Sequence, residues 1–237
     1  MNELATTSNL PTSVPQSSWG AEQASSKDML IPRIMLMQDL SDAVKSGKCR
    51  PGAIIDGTTN KVLVDSVGKK FEIIPILTYG EWLCYDVLVR NNKEEVTYKN
   101  KVVCDKSNEN WSPEEVVAGG LVRRVRQINF LVLRPENIHE LPYMVSFKKT
   151  SMRAGKKLST HFQVSAMKGL PAAKQVFTLS SIQLTSKGFT YYGFEVEPAR
   201  ASTPDELRYA YHWYQMFNKG AAKVEDEQAD ADPFKEA

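Results

Sequence analysis

Val176-Phe177-Thr178-Leu179-Ser180-Ser181-Ile182-Gln183-Leu184, then Thr185-Ser186-Lys187-Gly188, then Phe189-Thr190-Tyr191-Tyr192-Gly193-Phe194-Glu195-Val196 is the most legible stretch of this 237-residue chain. Two runs rich in β-branched and aromatic residues flank four turn-forming ones, and glycine supplies the positive φ a tight turn requires. The pattern predicts a β-hairpin. Downstream, Thr203-Pro204-Asp205-Glu206 offers a capping hydroxyl, a proline at the first helical position and an acid three residues on, which predicts a helix start. Leu207, Ala210, Tyr211, Tyr214 and Phe217 follow at helical spacing, so this helix is expected to lay those side chains on the body and to end at Gly220.

Upstream of the hairpin, residues 150–167 change period and read as a helix despite Gly155. Ahead of them, residues 141–147 and 123–134 read as strands, the latter settling into Ile128-Asn129-Phe130-Leu131-Val132-Leu133. Ser112 as a cap and Pro113 at the first helical position predict a short helix. Val96-Thr97-Tyr98 and Val102-Val103-Cys104 read as two strands joined near Asn100, and residues 70–77 and 81–90 as two more. Val62-Leu63-Val64 and Ala53-Ile54-Ile55 are short strands between turn residues. Order is expected to begin near Met29, at an apolar run broken by Pro32 and Arg33. Residues 1–27, rich in Ser, Thr, Pro, Asn and Gln, read as a disordered arm, 28–220 as one domain and 221–237 as a disordered acidic tail. Eight or nine strands with two or three helices give a mainly β chain, a barrel or compact sheet with helical insertions.

Composition is that of an ordinary globular protein, 42% hydrophobic and 24% charged. No apolar run approaches the roughly 20 residues that cross a bilayer, and the start lacks a basic segment before an apolar one, so a cytoplasmic protein without membrane contact is expected. Cys49, Cys84 and Cys104 are scattered and read as reduced thiols. His139, His161 and His212 form no metal-ligand spacing, and no cofactor is implied. Gly155-Lys156-Lys157 lacks the remaining residues of a phosphate-binding loop, and no catalytic motif is present. The expectation is a protein that is not an enzyme.

Charge is distributed unevenly. Residues 225–237 hold six acids against one base, a local charge of −5, so the remaining 224 residues of a chain with formal net charge +2 carry +7. A basic body suits a polyanion, and basic and aromatic residues interleave as single-stranded nucleic acid requires: cations to follow phosphates, rings to stack on unpaired bases. The nucleic-acid-binding candidates are Trp82, Tyr85, Arg123, Arg126, Lys148, Lys149, Arg153, Lys156, Lys157, Lys187, Tyr191 and Tyr192. The plainer alternative places the rings in the core and the cations on an ordinary soluble surface. Because neighbours on a strand face opposite ways, one of Tyr191 and Tyr192 is expected to lie outward.

The tail reads Asp230-Ala231-Asp232-Pro233-Phe234, acids leading to an isolated apolar anchor that suits docking in a basic, apolar pocket of a partner. It resembles the acidic, phenylalanine-ending tip of bacterial and phage single-stranded DNA-binding proteins. Ile31-Pro32-Arg33-Ile34, Phe71-Glu72-Ile73-Ile74-Pro75 and Ser186-Lys187-Gly188-Phe189-Thr190-Tyr191-Tyr192 are similar to phage members of that family. The resemblance implies an OB-type β-barrel that binds single-stranded DNA during replication or recombination, in the host bacterial cytoplasm for a phage-encoded chain. It further implies that Asp230, Asp232, Pro233 and Phe234 recruit replication or recombination proteins. The chain departs from the family pattern in the three residues after Phe234. Rival expectations are a virion or scaffold component and a single-strand annealing factor.

Overall fold

An unbroken apolar run on a strand must be covered on both faces, and the chain provides a helix for each. The computed structural model describes residues 29–90, 93–104, 114–117, 120–186 and 188–219, with side chains described outside 84–124 and 219. Among the described residues ten strands form one sheet: β1 (Arg33–Leu36), β2 (Ile54–Asp56), β3 (Val62–Val64), β4 (Lys70–Arg90), β5 (Lys93–Cys104), β6 (Glu114–Val117), β7 (Gly120–Leu133), β8 (Tyr143–Lys148), β9 (Gln175–Ser186) and β10 (Phe189–Ala201). Three helices accompany them: the single turn α1 (Asp42–Lys45), α2 (Met152–Met167) and α3 (Pro204–Lys219). The main path runs β10-β9-β4-β7-β8-β1-β2-β3, with β5 added to β4 and β6 to β7. The chain is mainly β with a few helices, as the sequence implies.

Every strand of that eight-strand path sends a residue to one apolar cluster, from Ile34, Ile54 and Val64 through Phe130 and Phe147 to Phe194, and α2 adds Ala154 and Leu158. A sheet whose strands all reach the same helix is curled around it. Gly155 permits the approach, because a Cβ there would lie 2.6 Å from Cβ of Phe147. On the opposite face Ile74, Leu131, Leu133, Met144 and Val176 form a second cluster with Ala210 and Phe217 of α3. Alternate residues of β7 therefore serve different cores, which is why residues 128–133 show so little polar alternation.

Several boundaries move, each for a physical reason. Residues 70–77 and 81–90 are one strand: β7 supplies a continuous ladder from Ile74↔Leu133 to Val87↔Leu121, so Thr78-Tyr79-Gly80 has no turn to make. Pro75 sits just beyond Ile73↔Phe177, the last register pair with β9, and beside a bulge in the β7 pairing, where its missing N–H is tolerated. Residues 96–98 and 102–104 are likewise one strand, β5. The register jumps from Cys84↔Val102 to Asp86↔Thr97, so Asn100 lies in an irregularity and not in a hairpin turn. The helix expected from Pro113 is also corrected, since Glu114–Val117 form β6, paired with β7; Ser112 and Pro113 lie outside the described residues.

The helix over 150–167 and the hairpin over 176–196 stand, with Gly188 at φ +80° in the turn. The helix start at Thr203 also stands: the Thr203 N–H donates to Glu206 at 2.6 Å and the Glu206 N–H to the Thr203 hydroxyl at 3.3 Å. The face of α3 is corrected. Ala210 and Phe217 are buried and Trp213 packs with them, but Tyr211 is 62% exposed and Tyr214 39%. Tyr209 and Trp213 take their place, since both stripes have helical spacing and only the sheet decides between them. Gly220 lies outside the described residues, as do the proposed arm and tail.

The two ends of the sheet meet through side chains. Gln38, in the segment between β1 and β2, accepts from the Tyr192 N–H at 2.9 Å and donates to its carbonyl at 3.0 Å, as a strand neighbour would. The Ser181 hydroxyl donates to the carbonyl of Gly52 at 2.6 Å. At the α3 end, Arg200 pairs with Glu206 and Glu72, both at 2.7 Å, and holds the Glu206 carboxyl below its usual range.

Two outcomes are expected. Gly155→Ala should destabilise by on the order of 1–2 kcal/mol in urea, because the clash with Phe147 outweighs the better helix propensity of alanine. Since the folded pKa of Glu206 is depressed, its contribution exists above the unfolded carboxylate range and is lost as pH falls through the folded value. Glu206→Gln should therefore lower the melting temperature at neutral pH, and the gap to the parent should narrow in acid.

Candidate nucleic-acid interface

The β4–β7 ladder places Trp82 directly opposite Arg126. Trp82 is half-buried and Arg126 exposed, and facing residues of an antiparallel pair hold their Cβ atoms about 5 Å apart. Ring and cation thus lie side by side on one sheet face, the face that continues through Ile128 and Phe130 into the α2 core. Three positions further along, the same ladder sets Tyr85 opposite Arg123, and β6 sets Glu114 on the other side of Arg123. The side chains of Tyr85 and Arg123 are outside the described set.

A buried polar cluster fixes this register from behind. Glu81, Gln127 and Asn129 are 7%, 2% and 1% exposed. Gln127 Nε2 donates to Glu81 Oε1 at 2.7 Å and to Asn129 Oδ1 at 2.8 Å, Asn129 Nδ2 donates to Glu81 Oε1 at 2.5 Å, and the Ser146 hydroxyl donates to Asn129 Oδ1 at 2.7 Å. The cluster crosses three strands, so slipping any of them strands buried donors and a carboxylate. Lys148 is exposed and pairs in register with Gln127, on this side of the sheet and not on the Trp82 side.

A second group of cations surrounds the start of α2. Lys149, Arg153, Lys156 and Lys157 are exposed. Lys149 adopts φ +47° where the chain leaves β8 and enters the 3-10 turn Lys149–Ser151. That turn is fastened to β10: the Thr150 hydroxyl donates to the Tyr192 carbonyl at 3.3 Å, and the Phe194 N–H to the Ser151 hydroxyl at 2.9 Å. Lys157 reaches the Val196 carbonyl at 3.4 Å. Together with Gln38 these groups occupy backbone positions along β10, which among the described residues is otherwise paired with β9 alone. The cations of residues 149–157 consequently lie along β10.

Of the tyrosine pair, Tyr192 is withdrawn as a stacking ring. It is 8% exposed, on the face it shares with Phe194, and its ring would lie 2.7 Å from a Cβ placed on Gly52. Tyr191 points the other way and is half-buried. Lys187 is outside the described residues, as are Asp230, Asp232, Pro233 and Phe234. The ring that the sequence reading missed is Phe189, 75% exposed beside the turn. Its position immediately after Gly188 was the available signal, since a hairpin tip reaches beyond any cover. Tyr79, three residues before Trp82 on β4, packs in the α3-side core.

Other chemistry is sparse. Cys49 is partly buried, which pushes its thiol pKa up. Among the described residues no group of His, Cys, Asp and Glu could hold a metal ion, and no helix is long and apolar enough to cross a membrane.

Residues 5–223 match the model of the family described as Pam3 phage gp34-like protein. No curated protein and no solved structure matches the chain. For the buried cluster, Asn129→Ala should cost about 1–3 kcal/mol, the penalty for taking one of two donors from Glu81 and the acceptor from Ser146. Chemical denaturation measures it, and Arg126→Ala, on the exposed side of the same ladder, should change stability by less than about 0.5 kcal/mol.

Proposed function

The chain belongs to the Pam3 phage gp34-like protein family, and for this member we propose, from the geometry of its sheet, that it binds and protects single-stranded DNA without catalysis and with little sequence preference. The observation that carries this reading is the Trp82–Arg126 pair, a half-buried indole beside an exposed guanidinium on a sheet face. A base can stack on the ring while the cation meets the adjoining phosphate, and neither contact depends on base identity. Tyr85 and Arg123, paired three positions along the same ladder, stand at an odd spacing from Trp82 and Arg126, so strand alternation leaves them out of this track. Arg153, Lys156 and Lys157 give a second stretch of positive charge for the backbone. The curled sheet around α2 supports an OB-type reading of the barrel. In this proposal the acidic tail, through Asp230, Asp232, Pro233 and Phe234, recruits replication or recombination proteins and competes with DNA for the basic surface at low salt.

A second reading is an assembly or scaffold component. Val164, Met167 and Leu170 at the end of α2 are 40%, 87% and 41% exposed, a concentration of apolar surface that favours protein contacts.

Fluorescence titration of the full chain with an oligothymidylate separates the two. Single-strand binding predicts quenching of tryptophan emission and affinity that falls steeply with salt. Trp82→Ala should weaken binding by about 1–3 kcal/mol, roughly five- to a hundredfold. Arg126→Ala should reduce the slope of log K against log salt by about 0.7 if one phosphate contact is lost. Oligomerisation without any response to oligonucleotide would favour the assembly reading and overturn the first.

A further inference from the structure

Arg134 lies eight residues beyond Arg126 and just past the end of β7, with its backbone still extended. It is 9% exposed, with its guanidinium 5.7 Å above the ring of Phe71 and 5.8 Å above that of Tyr143. Glu136 pairs with a terminal nitrogen. Among the described residues, the buried Nε of Arg134 has no hydrogen-bond partner. A buried donor without an acceptor is rare in folded proteins. An anion approaching a guanidinium side-on would take Nε and a terminal nitrogen together.

The same arginine borders a cleft of about 450 Å³ between β3 and the start of β4. Val62, Leu63 and Phe71 give this cleft an apolar wall, and Lys69 and Lys70 stand at its edge. The two lysine side chains are 64% and 50% exposed, held by Asp65 and Glu197 respectively. Asp65 and Glu136 line the cleft as well, paired with Lys69 and Arg134. A phosphate there would take the unpartnered Nε and displace a carboxylate from its cation, while the apolar wall suits a flat, weakly polar group at the other end of the ligand.

We propose that this cleft binds a nucleoside phosphate, the phosphate meeting Arg134, Lys69 and Lys70 and the base lying against Leu63 and Phe71. The phosphate follows from the cations and the unpartnered donor. That the flat group is a nucleobase rests on the single-strand reading. The ligand is a free nucleotide or the phosphorylated end of a strand, and both present the same chemistry.

The test is amide and arginine Nε NMR of the full chain titrated with thymidine monophosphate, thymidine, inorganic phosphate and sulfate at constant ionic strength. Thymidine monophosphate should shift Leu63, Phe71 and Arg134 saturably, more strongly than phosphate, while thymidine and sulfate have little effect. Arg134→Lys keeps the charge but loses the fork, and Val62→Glu places an acid at the exposed edge of the cleft. Each should weaken binding at least tenfold, a loss of about 1.4 kcal/mol. Val62→Glu should keep the parent melting temperature, so its loss of binding does not reflect unfolding.

Saturable shifts that sulfate reproduces, or none at millimolar nucleotide, would overturn the proposal. A 5′-phosphorylated oligothymidylate binding more tightly than its 5′-hydroxyl form would support the strand end as the ligand, and equal binding with nucleotide-specific shifts would support the free nucleotide. Oligonucleotide binding that is lost in Trp82→Ala, without any response at the cleft, sinks the cleft and leaves the single-strand reading intact. Nucleotide binding in the cleft without affinity for oligonucleotide does the reverse.

Discussion

Burial of β4, β7 and β8 on both faces is the constraint to which the rest of the molecule answers. Phe130 and Val132 face α2 while Leu131 and Leu133 face α3, so neither helix can be removed without exposing a full row of apolar side chains. Fully burying each such side chain contributes roughly 1.5–3 kcal/mol. Placing α2 within the curl requires the backbone to come unusually close to β8. Gly155 meets that need, and Phe147 then joins Phe130 and Phe194 in edge-on contacts at 5.5 and 5.6 Å.

Once the sheet is covered on both sides, its edges remain. β10 has its backbone groups engaged by Gln38, Thr150, Ser151 and Lys157, so the curl is fastened by side chains and not by another ladder. This arrangement draws the start of α2, and its exposed cations, alongside β10. The positive surface is thus a by-product of how the edge is satisfied.

The β4–β7 pair links stability to the proposed function. Its buried face carries Glu81, Gln127 and Asn129, whose mutual hydrogen bonds tolerate only one register, and its other face carries Trp82 and Arg126. Side chains alternate along a strand, so a one-residue slip would expose the polar cluster and turn the indole inward. Polar groups that add little net stability can therefore hold a binding surface in place. Arg134, on the Arg126 face at the other end of β7, has rings on both sides of its guanidinium and one donor without an acceptor, which marks the cleft next to it as a site for an anion.

The sequence by itself determined what depends on neighbours along the chain: the hairpin turn at Gly188, the capping box at Thr203 and Glu206, the helix over residues 150–167 and the mainly β character. These rest on φ preferences, short-range hydrogen bonds and periodicity, all of which are readable within a few residues. It also singled out Trp82 and Arg126, though not that they face one another. Tertiary structure alone decided the continuity of β4 and β5, the strand at Glu114–Val117, the stripe of α3 that packs and the burial of Tyr192. Each turns on a partner distant in sequence, since a ladder from β7 overrides local turn chemistry, and a ring's burial depends on whether another segment covers it.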